Sequence, residues 1–240
     1  MPLFPARDRE FLKQRLIASR GYLAQLCTEA GRSIDDVQLL PVTKAVDAQT
    51  TANLFELGER EFAENRADNL VAKAQDLTDR GMQPRWHFIG PLQRNKVRRV
   101  LRWASVLHSV HSIALLETLQ RVVKEEGRDL QVYLQAHLSG DSAKQGFAPH
   151  ELIEAAMLTS GSSHLQLLGV MGMGPLDDPE GLGTQRVFEG CSDLARQLES
   201  HDEVDLLDGR CRLSMGMSGD LEWAVPAGST LVRVGSAIFR

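Results

Sequence analysis

The stretch VQLLPVTKAVDAQTTANLFELGEREFAEN, residues 37–65, decides the fold class of this chain. It begins with a nearly continuous apolar run at 37–43, continues through an amphipathic stretch at 48–57, and ends in a second short run at 61–65. A continuous apolar run is typical of a strand covered on both faces, and a helix between two such strands joins them in parallel. We therefore interpret this stretch as a β–α–β unit.

The same alternation continues to the end of the chain. Further strands are predicted at 85–90, 105–110, 130–138, 165–173, 211–217 and 229–235. Helical stretches are predicted at 8–30, 66–78, 93–103, 112–126, 150–159, 183–199 and 219–226. Eight strands, mostly separated by one helix each, predict a TIM-like (β/α)8 barrel with an extra N-terminal helix. A doubly wound open sheet is the competing α/β fold, and we expect residues 1–240 to form a single domain.

Composition excludes several classes of protein. The chain has 240 residues, 42% hydrophobic and 25% charged, which suits one α/β barrel. A net charge of −5 gives no bulk attraction to nucleic acid or to an anionic membrane. No leader-like apolar segment or run of about 18 apolar residues occurs, so we expect a cytoplasmic protein. Cys27, Cys191 and Cys211 are scattered, without CxxC spacing, and no ligand pattern predicts a metal.

Polar and glycine residues follow the predicted strands, where the active sites of α/β barrels lie. Lys44 directly follows the first strand. One interpretation is a lysine whose stem packs on the barrel while its amine reaches solvent. The other is an amine that condenses with an aldehyde, activated by burial and by a second cation. Arg233, in the last strand, is a candidate for that cation.

Two short segments near the C-terminus are candidates for binding a phosphate. Ser218 and Gly219 follow strand seven, and Gly235 and Ser236 follow strand eight. Barrels frequently bind phosphate on these two loops. Backbone N–H groups at a helix start, a close backbone approach at glycine and a serine hydroxyl all suit an anion. The alternative is ordinary turn and helix-cap chemistry, for which the same residues are common.

Several motifs together resemble one known family. They are PVTK (41–44), the pair Glu64–Asn65, WHFIGPLQRNK (86–96), GVMGM (169–173), LSMGMS (213–218) and AGSTLVRVGSAIF (227–239). This pattern resembles the pyridoxal phosphate (PLP) homeostasis proteins, which are similar to the barrel domain of alanine racemase. The resemblance runs from about residue 10 to the C-terminus, and WHFIGPLQRNK carries most of its specificity.

The resemblance implies a cofactor site. PLP would be held as a Schiff base on Lys44, and Arg233 would face the pyridine nitrogen. The phosphate would be bound by the four residues after strands seven and eight, Ser218, Gly219, Gly235 and Ser236. Further residues match positions near the cofactor in the family: Asn65, His87 and Met215.

Three functions remain open at this point. The favoured one is a PLP-binding protein of intracellular PLP homeostasis without catalytic turnover. The second is a PLP-dependent amino-acid racemase or decarboxylase, and the third is a barrel protein for another phosphorylated metabolite. Two-base racemisation needs groups on both faces of the substrate, but only Lys44 is an evident base. Related racemases take a tyrosine from a second domain, whereas the tyrosines here are Tyr22 and Tyr133.

Partners follow from the favoured function. We expect PLP itself and, as candidate recipients, PLP-dependent apo-enzymes. Nucleic acid and membranes are not expected partners, and we expect a monomer or a weak dimer.

Overall fold

The β–α alternation builds one parallel sheet in a computed structural model, which describes residues 4–138, 145–175, 178 and 180–240. Eight strands form this sheet: β1 Gln38–Pro41, β2 Glu61–Glu64, β3 Arg85–Phe88, β4 Ala104–Val110, β5 Leu130–Gln135, β6 Leu165–Met171, β7 Arg212–Met217 and β8 Leu231–Val234. They lie in the order β1-β8-β7-β6-β5-β4-β3-β2, and every neighbouring pair is parallel. The predicted barrel is confirmed, although most strands are shorter than their apolar runs.

The barrel closes between its first two strands. Val42 and Ala63 form an isolated parallel bridge, and the Thr43 N–H donates to the Ala63 carbonyl at 2.9 Å. This contact joins the two edges that an open sheet would leave unpaired. The doubly wound alternative is therefore wrong, and all strand C-termini meet at one mouth.

Helices surround the barrel: α1 Arg9–Glu29, α2 Ala48–Glu56, α3 Ala67–Asp79, α4 Val97–Leu101, α5 Ile113–Glu126, α6 Pro149–Ser160, α7 Leu182–Glu199, α8 Leu221–Ala224 and α9 Ser236–Phe239. Short 3-10 helices lie at Ile34–Asp36, Arg94–Lys96 and Leu207–Gly209. Helix 93–103 was predicted too long, because a 3-10 turn precedes α4, and α9 was not predicted. Among the helices of the described ranges, none has the length and apolarity needed to cross a bilayer.

Local sequence explains where several helices begin. The side chain of Asp8 accepts the Phe11 N–H at the start of α1, and Asp47 accepts the Thr50 N–H at the start of α2. Such caps satisfy backbone donors that have no partner within the helix, and each contributes about 1 kcal/mol. The cap at Asp47 ends the turn that carries Lys44, so it also fixes the path of the chain after β1.

Two apolar layers hold the structure together. The larger lies between the strands and the helices and includes fully buried Leu70 and Phe88. The smaller fills the barrel interior in two clusters, Leu40, Val42, Ala63 and Leu231, and Val106, Tyr133, Leu168 and Met171. Because these side chains fill the barrel, it is a packed core, and a ligand can enter only at the ends of the strands.

Candidate functional site

A cavity of about 290 Å³ opens at the mouth of the barrel. Residues of the β1, β7 and β8 ends line it: Lys44, Ala45, Met217, Ser218, Gly219, Arg233, Gly235 and Ser236. Its volume is near the lower end of the range of about 300–1,000 Å³ for small-molecule sites. The cavity therefore suits a ligand with one small ring, and six of the nine predicted site residues meet there.

Lys44 occupies the turn that follows β1. The turn is closed by a hydrogen bond from the Val46 N–H to the Thr43 carbonyl at 3.1 Å. The Lys44 side chain is exposed, and it also lines a second cavity of about 310 Å³ beside α2 and α3. Lys44 therefore lies at the mouth of the barrel, where an aldehyde in solution can reach its amine.

A buried ion pair supports the backbone immediately before Lys44. The Nζ of Lys73, on α3, donates to the Thr43 carbonyl and to Glu64 Oε1, each at 2.5 Å. The Thr43 hydroxyl donates to the same carboxylate oxygen at 2.8 Å. Lys73 is 6% exposed and Glu64 is fully buried, so this small network ties β1, β2 and α3 together behind the reactive turn. From the sequence, Glu64 was noted only as part of the motif pair Glu64–Asn65, and no local pattern identifies Lys73 as its partner.

The loops after β7 and β8 present several hydrogen-bonding groups to the cavity. The Oγ of Ser218 accepts the Gly235 N–H and the Ala237 N–H, both at 3.3 Å. Within the described ranges, the Ser236 hydroxyl and the Gly219 N–H have no hydrogen-bond partner. A Cβ built on Gly235 would lie 3.2 Å from the Val42 carbonyl oxygen, so this backbone approaches β1 closely. The two loops together form a cluster of donors that can bind an anionic oxygen group.

Arg233 lies beneath these loops and is almost completely buried. Its Nη1 donates to the Ser214 carbonyl at 2.5 Å and to the Ser214 hydroxyl at 2.7 Å, and its Nη2 donates to the Gly172 carbonyl at 3.0 Å. Burial lowers the pKa of Arg233 to about 10, so the guanidinium remains protonated at neutral pH. The cavity therefore has a fixed cation on its wall, held by the carbonyls of Ser214 within β7 and of Gly172 directly after β6.

Three predicted site residues do not line the cavity. Asn65 lies at the end of β2, with its backbone packed against Gly90. His87 is inside the barrel and hydrogen-bonded to His108 and Glu61. Met215 is fully buried in the layer between strands and helices, so its side chain is separated from the cavity.

Other lining residues were not predicted from the sequence. They are Phe4, Val42, Ala45, Ile89, Met217 and Arg240. Phe4 is placed by a hydrogen bond from its N–H to the Ala45 carbonyl at 3.1 Å. The Arg240 guanidinium lies 5.7 Å from the centre of the Phe4 ring, so both ends of the described chain reach the mouth. No local pattern in the first residues indicates this, because the contact depends on barrel closure.

The structure describes no group of three or more His, Cys, Asp or Glu side chains placed to hold a metal ion. This statement applies to residues 4–138, 145–175, 178 and 180–240.

Known proteins resemble this chain in sequence and in fold. The family model for the alanine racemase N-terminal domain matches residues 23–240. The chain is 35% identical to a pyridoxal phosphate homeostasis protein of Mycobacterium bovis, over 98% of this chain and 94% of that protein.

Two solved structures extend the comparison. PipY of Synechococcus elongatus PCC7942, solved with PLP bound, aligns with a TM-score of 0.81 and 32% identity, covering 95% of this chain and 100% of PipY. An alanine racemase of Clostridium difficile 630 aligns with a TM-score of 0.74 at 16% identity, covering 99% of this chain and 58% of the racemase. At that identity the second alignment establishes only a shared barrel fold.

Proposed function

Because this chain belongs to the family of pyridoxal phosphate homeostasis proteins, within the alanine racemase N-terminal domain fold, we propose that it binds PLP in the cavity at the barrel mouth. One observation carries the proposal: a lysine, a buried arginine and two donor-bearing loops converge on one cavity of about 290 Å³. These groups match the three chemical parts of PLP, which are an aldehyde, an aromatic ring and a phosphate.

We assign Lys44 to the aldehyde. When bound, the cofactor supplies an aldehyde and an electron-accepting ring. Lys44 would hold the cofactor through its amine, as a Schiff base with the aldehyde carbon, with water as the leaving group. The exposure of Lys44 supports reversible capture, since water and competing amines can reach this bond.

We assign the phosphate to the loops after β7 and β8. The Ser236 hydroxyl and the Gly219 N–H are unpaired within the described ranges, and the Gly235 N–H makes only a long bond to Ser218. Charge-assisted hydrogen bonds from such groups to phosphate oxygens are stronger than neutral ones. The wall residue Arg233 then lies where it can face the ring.

We also propose that the protein binds PLP without catalytic turnover. Arg233 is a cation, so it disfavours protonation of the ring nitrogen and weakens the ring as an electron sink. Neither tyrosine is placed as a second base: Tyr133 is buried in the barrel against His108, and Tyr22 lies on α1. Among the described cavity residues, Lys44 is the sole side chain suited to act as a general base.

We further propose that residues 1–240 act as one unit and that the bound PLP is passed to PLP-dependent apo-enzymes. All described strands belong to one sheet, which supports the single unit. A reducing, cytoplasmic location is supported by the three free, buried cysteines, Cys27, Cys191 and Cys211. A monomer or weak dimer remains our expectation for the oligomeric state.

The experiment that tests the proposal is chemical trapping. The protein is incubated with PLP, reduced with borohydride, digested and analysed by mass spectrometry. We expect the pyridoxyl group on Lys44, and a visible absorption band that the Lys44→Ala variant loses. Lys124→Ala, at an exposed lysine of α5, is the matched control and should retain both signals.

Two outcomes would contradict the proposal. Modification of another lysine while Lys44 stays free would refute the assignment of the Schiff base. Robust racemase or decarboxylase activity that disappears with Lys44→Ala would refute the binding role without turnover.

A further inference from the structure

A line of four hydrogen bonds crosses the barrel beneath the cavity. The Arg233 Nη1 contacts Ser214 Oγ at 2.7 Å, and Ser214 Oγ contacts His108 Nδ1 at 2.8 Å. His108 Nε2 then contacts His87 Nδ1 at 2.9 Å, and His87 Nε2 contacts Glu61 Oε2 at 2.8 Å. The line therefore connects the cavity wall with the first residue of β2, at the opposite end of the barrel.

The two ends of the line fix its direction. A guanidinium can only donate, so Ser214 Oγ accepts from Arg233, and its own proton is free to donate to His108 Nδ1. His108 is then protonated on Nε2 and donates to His87 Nδ1. His87 is likewise protonated on Nε2 and donates to the Glu61 carboxylate, which as an anion only accepts. Both histidines are thus neutral and share one tautomer.

The electrostatics of the buried groups agree with this assignment. Burial lowers the pKa of His87, and burial together with the charge of Arg233 lowers the pKa of His108. The hydrogen bond from His87 lowers the pKa of Glu61 to about 2, so this carboxylate is ionised at neutral pH. All three protonation states match the one-way direction.

The position of Arg233 shows why such a line is needed. This side chain is 3% exposed, and none of the described carboxylates forms a salt bridge with it. Asp220 attracts this charge without forming a salt bridge, but the hydrogen-bond partners of Arg233 are all neutral, and burying a charge among such partners is expensive. A chain of aligned hydrogen bonds that ends in a carboxylate offsets part of that cost, because each bond polarises the next. The stacking of Tyr133 on His108, with ring centres 4.5 Å apart, holds the middle ring in place.

We propose that Ser214, His108, His87 and Glu61 form a one-way hydrogen-bond chain that positions Arg233 and couples the far end of the barrel to the cofactor cavity. This proposal rests on the proposed function, because its consequence is measured on bound PLP. The four are positioning residues, since none of them lines the cavity and all act through Arg233. Through this hydrogen-bond chain, His87 acts on the cavity although its own side chain does not line it.

The direction of the chain is tested first, without cofactor. Nitrogen-15 NMR of histidine side chains distinguishes the Nε2–H tautomer from the Nδ1–H tautomer in the wild-type protein. We expect neutral His87 and His108, both protonated on Nε2, at pH 7.5. A different tautomer or a charged ring at either residue would refute the one-way hydrogen-bond chain.

The coupling is tested by PLP titration followed through the visible band. Ser214→Ala removes the link next to Arg233, and we expect PLP to bind about tenfold more weakly, with a shifted band. Glu61→Gln keeps an acceptor but loses the charge, so a smaller change in the same direction is expected. Since Glu61 is partly exposed, this variant should fold even if Ser214→Ala does not. Glu56→Gln, at a surface glutamate paired with Arg9, is the matched control.

Failure of PLP binding and failure of the positioning chain give different results. If the wild-type protein gives no PLP band at all, the proposed function is wrong, and the coupling to cofactor falls with it. If the wild type binds PLP but Ser214→Ala and Glu61→Gln match it in affinity and band position, the proposed function stands and the positioning chain is refuted.

Discussion

The Ser236→Ala variant separates phosphate binding from aldehyde binding. The Ser236 hydroxyl lines the cavity and has no partner within the described ranges, so its removal breaks no bond of the free protein. The unfolding free energy should therefore change by less than about 0.5 kcal/mol. A hydrogen bond to a charged group contributes about 1.5–3 kcal/mol, so PLP should bind about ten- to a hundredfold more weakly.

Ser218→Ala should behave differently, for a structural reason. Its Oγ accepts the Gly235 and Ala237 N–H groups at 3.3 Å. Removing the hydroxyl frees both amides, and these can then donate to the phosphate. We therefore expect a smaller loss of PLP affinity for Ser218→Ala than for Ser236→Ala.

The assay is a cycle of two ligands and two proteins. PLP and pyridoxal, which lacks the phosphate, are titrated into the wild type and the Ser236→Ala variant. Removing the phosphate from the ligand should erase the effect of removing the hydroxyl from the protein. Ser200→Ala, at an exposed serine that follows α7, serves as the control. Equal losses for PLP and pyridoxal would refute the phosphate assignment.

Three further predictions concern stability. Lys73→Met leaves Glu64 as a buried carboxylate without its ion-pair partner, so the free energy of unfolding from urea titration should fall by about 3–5 kcal/mol. Adding Glu64→Leu to this variant should recover part of the loss. Gly90→Ala would put a Cβ 2.0 Å from the Asn65 carbonyl oxygen, so its melting temperature should fall clearly; a wild-type value would show that this loop can move aside. Burial lowers the pKa of His108, so the unfolded chain takes up a proton at higher pH than the folded protein does. The free energy of unfolding should therefore be at its full value above pH 6.5 and decrease by up to about 1.4 kcal/mol per pH unit below it. Urea titrations from pH 7.5 to pH 5 check this, and His108→Asn should give a shallower slope.

Local signals in the sequence were enough for the order of elements. The apolar run at 37–43 and the helix capped by Asp47 are neighbours in the chain, and their pattern needs no distant partner to be recognised. The same holds for the strand-end positions of Lys44 and Gly235, because parallel strands place every C-terminal end at one mouth. Boundaries were less accurate, since strand ends are set by pairing with a neighbour, as at the bridge between Val42 and Ala63.

The sequence by itself thus determined the barrel and the residues that follow its strands, because periodicity, caps and strand-end chemistry are local properties. Only the tertiary structure decided which side chains meet. Lys73 reaches Glu64 because α3 packs over β2, and Arg233 reaches Ser214 because β8 lies beside β7. The line from Ser214 through the histidines to Glu61 joins strands that are far apart in the chain, and closure of the barrel is what brings their inward-facing side chains within hydrogen-bond distance.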